Sequence, residues 1–127
     1  MHTLTRLVLA AVAIGVLAGA QGQDRPELQL KTAIYKETVE GDLHGAIALY
    51  KQIVSNASVP RPIAAAALLG LGGCYEKVGQ QDARKVYERL VAEYSDQAQE
   101  AAAARQRLAA LTAGAPARAR RHQPRRR

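Results

Sequence analysis

The amino-acid sequence predicts an all-α fold: antiparallel helix-turn-helix repeats stacked as a short α-solenoid, about two hairpins followed by a C-terminal capping helix. Three observations lead there. Between Leu68 and Tyr94 (LLGLGGCYEKVGQQDARKVYERLVAEY), apolar residues recur at three- and four-residue steps on both sides of Gly79, the period of two amphipathic helices joined by a turn. A weaker copy of that pattern lies upstream, with Gly41 and Gly79 separated by 38 residues and Ala46 and Ala83 by 37. Beyond Ser95, the residues Ala101, Ala104, Leu108 and Leu111 make one further apolar stripe.

In chain order, residues 1–20 are expected to stand apart from the fold as a secretory signal peptide. His2 and Arg6 give a basic start, Leu7 to Leu17 (LVLAAVAIGVL) is an apolar run, and Ala18-Gly19-Ala20 is an A-x-A cleavage site, three features in the order that export signals require. A membrane anchor fits less well, because the run spans only ~17 Å against a hydrocarbon core of about 30 Å. The mature chain is therefore expected to be soluble and exported, periplasmic or secreted.

The helical region is expected over residues 24–111. Asp24 can cap the first helix, with Pro26 in its first turn and Glu27 three residues after the cap. Leu30, Ala33, Ile34 and Glu37 carry the helix to Gly41, where the chain turns. Asp42 is expected to cap the second helix, followed by a solvated His44. Ala46, Tyr50 and Ile53 form the buried face of that helix. Two prolines in the segment from Ser55 to Pro62 (SNASVPRP) end the second helix and start the third. Asn56-Ala57-Ser58 in this connection fits an N-glycosylation acceptor, a three-residue pattern that recurs often by chance.

The third helix carries Leu68, Leu71, Gly72 and Tyr75 on one face and ends at Gly79, a residue type that takes left-handed backbone angles without penalty. Ala83, Tyr87 and Leu90 repeat the spacing on the fourth. Gly72 and Ala83 suit a close approach of two backbones, with Tyr75 and Tyr87 filling the space around them. Ser95-Asp96 is a plausible cap for the fifth helix. Residues 112–127, with six arginines and no acid, have too little apolar content to fold and are expected to form a disordered Arg/Pro-rich tail.

The pattern L-x2-L-G-x2-Y from Leu68 to Tyr75, then Gly79, then A-x3-Y from Ala83 to Tyr87, resembles the tetratricopeptide repeat (TPR). Leu68 stands where that family often has Trp and Tyr87 where it often has Phe. The turn from Gly79 to Ala83 is one residue short, and the closing proline is missing. The resemblance spans residues 27–111, strongly for 68–94, and is to modules of exported bacterial envelope proteins. It implies binding of a peptide or partner protein in a groove lined by the first helix of each pair. On family geometry that groove would draw on Lys31, Tyr35, Thr38, Leu69, Gly73, Glu76 and Lys77, with Gln99 and Gln106 from the capping helix.

Composition narrows the function classes. Residues 24–111 hold 11 Lys/Arg and 11 Asp/Glu, so the net charge of +7 comes from Arg6 and the tail arginines 118, 120, 121, 125, 126 and 127. A neutral helical region argues against a nucleic-acid-binding domain and confines electrostatic binding to the tail. An alternative function is therefore polyanion or membrane-surface binding through those arginines; another is that the chain is the N-terminal part of a longer envelope protein.

No catalytic constellation is expected. His44 is the only histidine of the helical region, too few for a usual zinc site. Gly70 to Gly73 lacks a following GK[ST], so it is no phosphate loop. Cys74 is expected to be buried as a small apolar side chain, with a redox role as the other reading. The expectation is a non-enzyme without metal or cofactor. A lean array of two and a half repeats, near the minimum of about three, also raises self-association as a way to complete the core.

Overall fold

The computed structural model describes residues 25–79 and 81–120, with side chains described up to 114. The expected signal peptide at 1–20 lies outside the described residues. Five helices follow one another: α1 (Pro26–Tyr35), continued by a π-helical turn (Lys36–Glu40), α2 (Leu43–Ser55), α3 (Arg61–Lys77), α4 (Asp82–Glu93) and α5 (Ala98–Arg120). Among the described residues there is no strand, and no helix is long and apolar enough to cross a membrane. The all-α, repeat-like architecture is as the sequence predicts.

Helices adjacent in sequence pack in pairs, α1 with α2 and α3 with α4. The pairs stack through α2 on α3, and α5 lies against α4. α3 also touches both α1 and α5, so the odd-numbered helices form one layer and α2 and α4 the other. The two hairpin turns are closed by glycines in left-handed conformation, Gly41 at φ 69° and Gly79 at φ 73°. There a side chain would be strained. Asp42 caps α2 by accepting a hydrogen bond from the Gly45 amide at 2.8 Å, and His44 beside it is exposed, both as expected.

The core runs continuously from α1 to α5 through Ala33, Tyr50, Ile53, Leu68, Leu71, Tyr87, Leu90 and Ala104. Its tightest points are two tyrosine rings pressed on bare backbone of α3. A Cβ at Gly72 would lie 2.7 Å from Tyr87 Cζ, and one at Gly70 would lie 2.7 Å from the Tyr50 hydroxyl oxygen. Thus Tyr87 packs on α3 from within its own hairpin and Tyr50 from the preceding one. The approach at Gly72 is expected from the sequence, whereas the one at Gly70 was not.

Some local features differ from expectation or lie outside the described residues. Asp24 lies outside them; the residue before α1 is Arg25, extended and without a side-chain cap bond, while Pro26 does occupy the first turn. Asp96 does not serve as a cap for α5, because its carboxylate is taken by the Arg61 guanidinium, which also donates to the Glu93 carbonyl and sits 4.7 Å over the Tyr94 ring. α5 does not stop at Leu111 but runs to Arg120. This extension is in keeping with the high helix propensity of the alanines there; residues 121–127 of the expected tail lie outside the described residues. In the connection before α3, exposed Asn56 accepts with its Oδ1 from the Ser58 amide at 3.0 Å, the local bond that makes an Asx turn.

Replacing Gly72 by Ala should destabilise the chain by about 1–3 kcal/mol, since Tyr87 is buried at 1% exposure and has nowhere to retreat. Gly114→Ala, where nothing lies within 4 Å, should be neutral or stabilising. Urea unfolding of both variants measures the difference.

Candidate functional site

The groove expected on the odd-numbered helices contains a structure that the spacing does not announce. Each hairpin holds one carboxylate between a tyrosine and a cation. In the first, Tyr50 donates its hydroxyl to Glu37 Oε2 at 2.8 Å, and Lys77 of α3 donates to Glu37 Oε1 at 2.8 Å. In the second, Tyr87 donates to Glu76 Oε2 at 2.8 Å, and the Arg107 guanidinium of α5 donates twice to the same oxygen. The carboxylates are mostly covered, Glu37 at 13% and Glu76 at 16% side-chain exposure. Each set joins three helices: the first and second helices of its own hairpin through the tyrosine, and the next odd-numbered helix through the cation.

These repeated sets fix how the hairpins correspond. Glu37 lies four residues before Gly41 and Glu76 three before Gly79. The π-helical turn absorbs the difference: the Gly41 amide bonds to the Lys36 carbonyl, five residues back, so one extra residue fits into the last turn. Aligning Glu37 with Glu76 then pairs Ala33 with Gly72, Leu30 with Leu69 and Ile34 with Gly73, a register one residue away from that suggested by the turn glycines.

The expected groove residues divide accordingly. Leu69 and Gly73 lie half-buried on α3, and Gly73 leaves room for Glu37, whose Oε1 would be 3.9 Å from a Cβ there. Glu76 and Lys77 are at the same surface but are engaged with Tyr87, Arg107 and Glu37 rather than open. Gln99 and Gln106 are exposed on α5. On α1 the register shift matters most. Lys31, Tyr35 and Thr38 are exposed, but they align with Gly70, Cys74 and Lys77, positions that in α3 turn toward the preceding hairpin. The α1 residues that align with the α3 groove positions are Leu30, Ile34 and Glu37. Nothing in the apolar periodicity marks a π turn; the only trace is the extra residue between the glutamate and the turn glycine.

Cys74 is buried, as expected. Burial, and then the negative charge of Glu37 beside it, push the thiol up to about 11, so it is not a thiolate at neutral pH. Burial and the bond to Glu76 push Tyr87 up to about 12, and the same causes raise Tyr50 strongly. Lys77 is raised by its hydrogen bond to Glu37. Asp96 is held far below the usual carboxylate range by Arg61. Glu37 and Glu76 are each held between a tyrosine hydroxyl and a cation, so the arrangement ties helices together and leaves apolar surface between paired charges.

Comparison with protein-family models, with curated proteins and with solved structures found no match to this chain. The arginines expected to carry charge to a partner are split, Arg118 and Arg120 falling within α5 and Arg121, Arg125, Arg126 and Arg127 outside the described residues.

Glu76→Gln is expected to cost about 1–3 kcal/mol, because a covered acceptor of two donors is lost. Arg107→Ala, with its side chain 54% exposed, should cost under about 1 kcal/mol. A double-mutant cycle of Glu76→Gln with Tyr87→Phe should give a coupling of at least about 0.5 kcal/mol.

The raised Cys74 and Tyr87 values set a pH signature. Both groups hold their proton more tightly folded than unfolded, so their contribution is complete below the unfolded values, ~8.5 for a thiol and about 10 for a phenol, and is lost as pH rises toward the folded ones. Unfolding free energy should therefore fall above about pH 9. A bulky disulfide reagent should label Cys74 slowly in the native chain at pH 8 and rapidly in urea.

Proposed function

We propose that the chain is an exported, non-catalytic protein–protein interaction module that binds an extended peptide or a partner helix across the layer formed by α1, α3 and α5, in the manner of a tetratricopeptide repeat protein. The observation that carries this reading is the repeated neutralisation of charge along that layer. Glu37 with Lys77 and Glu76 with Arg107 cancel one another within the chain. Between and beside them lie half-buried or exposed apolar and small groups: Leu30, Ile34, Leu69, Gly73 and Ala103. Such a surface offers apolar contact without the desolvation cost of unpaired charge.

Binding here is spread over three helices, so its specificity would rest on shape and on the spacing of anchors along the partner. The N-terminal apolar run and A-x-A site support export, and the repeat resemblance supports the family; the two together favour an envelope or secreted setting. No side chain needs to act as a nucleophile, acid or base in this role.

The test is selection of peptides from a displayed library against the full chain, followed by titration of the selected peptide. Leu69→Arg and Ala103→Arg, which put bulk and charge on the layer, should each weaken binding at least about tenfold while circular dichroism stays unchanged. Selected peptides that bind these variants as well as the parent, or no selectable peptide at all, would sink the proposal.

A further inference from the structure

Four large apolar side chains stand exposed among the described residues, and all four lie on α1 and its π turn: Leu28 at 48%, Ile34 at 44%, Tyr35 at 53% and Val39 at 65%. Leu28, Tyr35 and Val39 share one stripe by helix spacing, with Ile34 on its flank. The chain itself indicates what such a face is for. Aligned through Glu37 and Glu76, Leu28, Tyr35 and Val39 correspond to Ala67 and Cys74 of α3 and to Val78 at its C-cap, and Ile34 to Gly73 at the border with the α1/α3/α5 layer. There the face is turned to the preceding hairpin: Tyr50 packs on Gly70, and Glu37 lies against Gly73 and Cys74.

The two faces differ in one decisive way. α3 receives its neighbour through small residues, with Gly70 admitting a tyrosine ring, whereas α1 has Lys31 at the position of Gly70 and large apolar groups around it. A hairpin of the kind α3 receives would not seat on α1. Large side chains on one helical stripe suit a helix packed on a helix.

We infer that the outer face of α1 is a self-association surface, on which α1 of a second copy of this chain packs antiparallel about a two-fold axis. Opposite charges at the two ends of one flank favour this occupant, with exposed Lys31 near the centre left to reach past the contact to solvent. Arg25, Thr32, Lys36 and Glu40 line one flank of the stripe, with Arg25 at its start and Glu40 at its end, and Lys36 is already neutralised by Glu40 and Asp42. Antiparallel pairing brings each Arg25 to Glu40 of the other copy, twice over, and sets Leu28 near Val39. Any contact about a two-fold axis is isologous, so one face serves both copies.

The size of the patch sets the strength. The exposed parts of the four side chains amount to roughly 400 Å², within the range of the largest apolar patches on monomers. Two such faces cover about 800 Å², below the ~1,600 Å² of a standard interface. A weak, concentration-dependent dimer follows rather than an obligate one.

Sedimentation equilibrium of the full chain, from about 1 to 100 μM, tests the inference. A monomer–dimer equilibrium is expected in that range, and Val39→Glu, at the most exposed of the four positions, should weaken it at least about tenfold. Arg25→Glu and Glu40→Arg should each weaken it, and the double variant should recover most of the loss. A chain that is monomeric throughout, as it would be if residues 1–24 or another partner covered α1, overturns the inference. So does a dimer that survives Val39→Glu, or one in which the exchanged pair gives no recovery. The measurement is made without peptide, and Leu69→Arg should leave the dimer intact, so this result and that for the α1/α3/α5 layer stand or fall separately.

Discussion

The architecture depends on α3 having no side chain at two places where tyrosine rings come from opposite sides. Tyr50 reaches Gly70 from the first hairpin and Tyr87 reaches Gly72 from the second. Because both rings are buried at about 1% exposure, their hydroxyls need partners, since an unbonded hydroxyl in such a place costs roughly 1–3 kcal/mol. Glu37 and Glu76 supply them. The mostly covered carboxylates in turn need cations, and Lys77 and Arg107 of the following helices supply those. The bare backbone of α3 thus leads, step by step, to the polar contacts that hold successive odd-numbered helices together. No buried side-chain nitrogen or oxygen among the described residues is left without a partner.

Much of this was legible in the sequence. The apolar period from Leu68 to Tyr94, the two turn glycines and the Ala101 to Leu111 stripe placed all five helices and their pairing, because each signal is local and each helix buries a single face. What the sequence did not reveal arises from contacts between distant residues. Arg61 and Asp96 lie far apart in the chain, so Asp96 reads as a helix cap until the guanidinium beside it is seen. Glu76 reads as a groove residue and Glu37 only as part of the repeat spacing, because their tyrosine partners sit on other helices.

The candidate surface was less legible, and the reason is the π turn. Period counting assumes that one residue advances every helix by the same angle. An inserted residue rotates everything before it by about 100° relative to the turn glycine, so aligning through Gly41 and Gly79 or through Glu37 and Glu76 pairs Lys31, Tyr35 and Thr38 with different positions of α3. Burial settles the register: Ala33 is fully buried where Gly72 is, and Ile34 is not. The end of α5 was hard to place for a different reason. Arg and Pro suggested a solvated coil, while the alanines from Ala109 onward carry α5 past Leu111 to Arg120.

The two ends of the array are chemically unlike. Where α1 presents bulky apolar groups, α5 turns outward Ala98, Ala102 and Ala109 with Arg105 and Gln106 among them. If copies join through α1, the union has two identical α5 helices on its outer sides and no bulky apolar stripe left to seat on them. Association of that kind would close at two copies rather than grow into a fibre, because the face that joins them is used up in the pair.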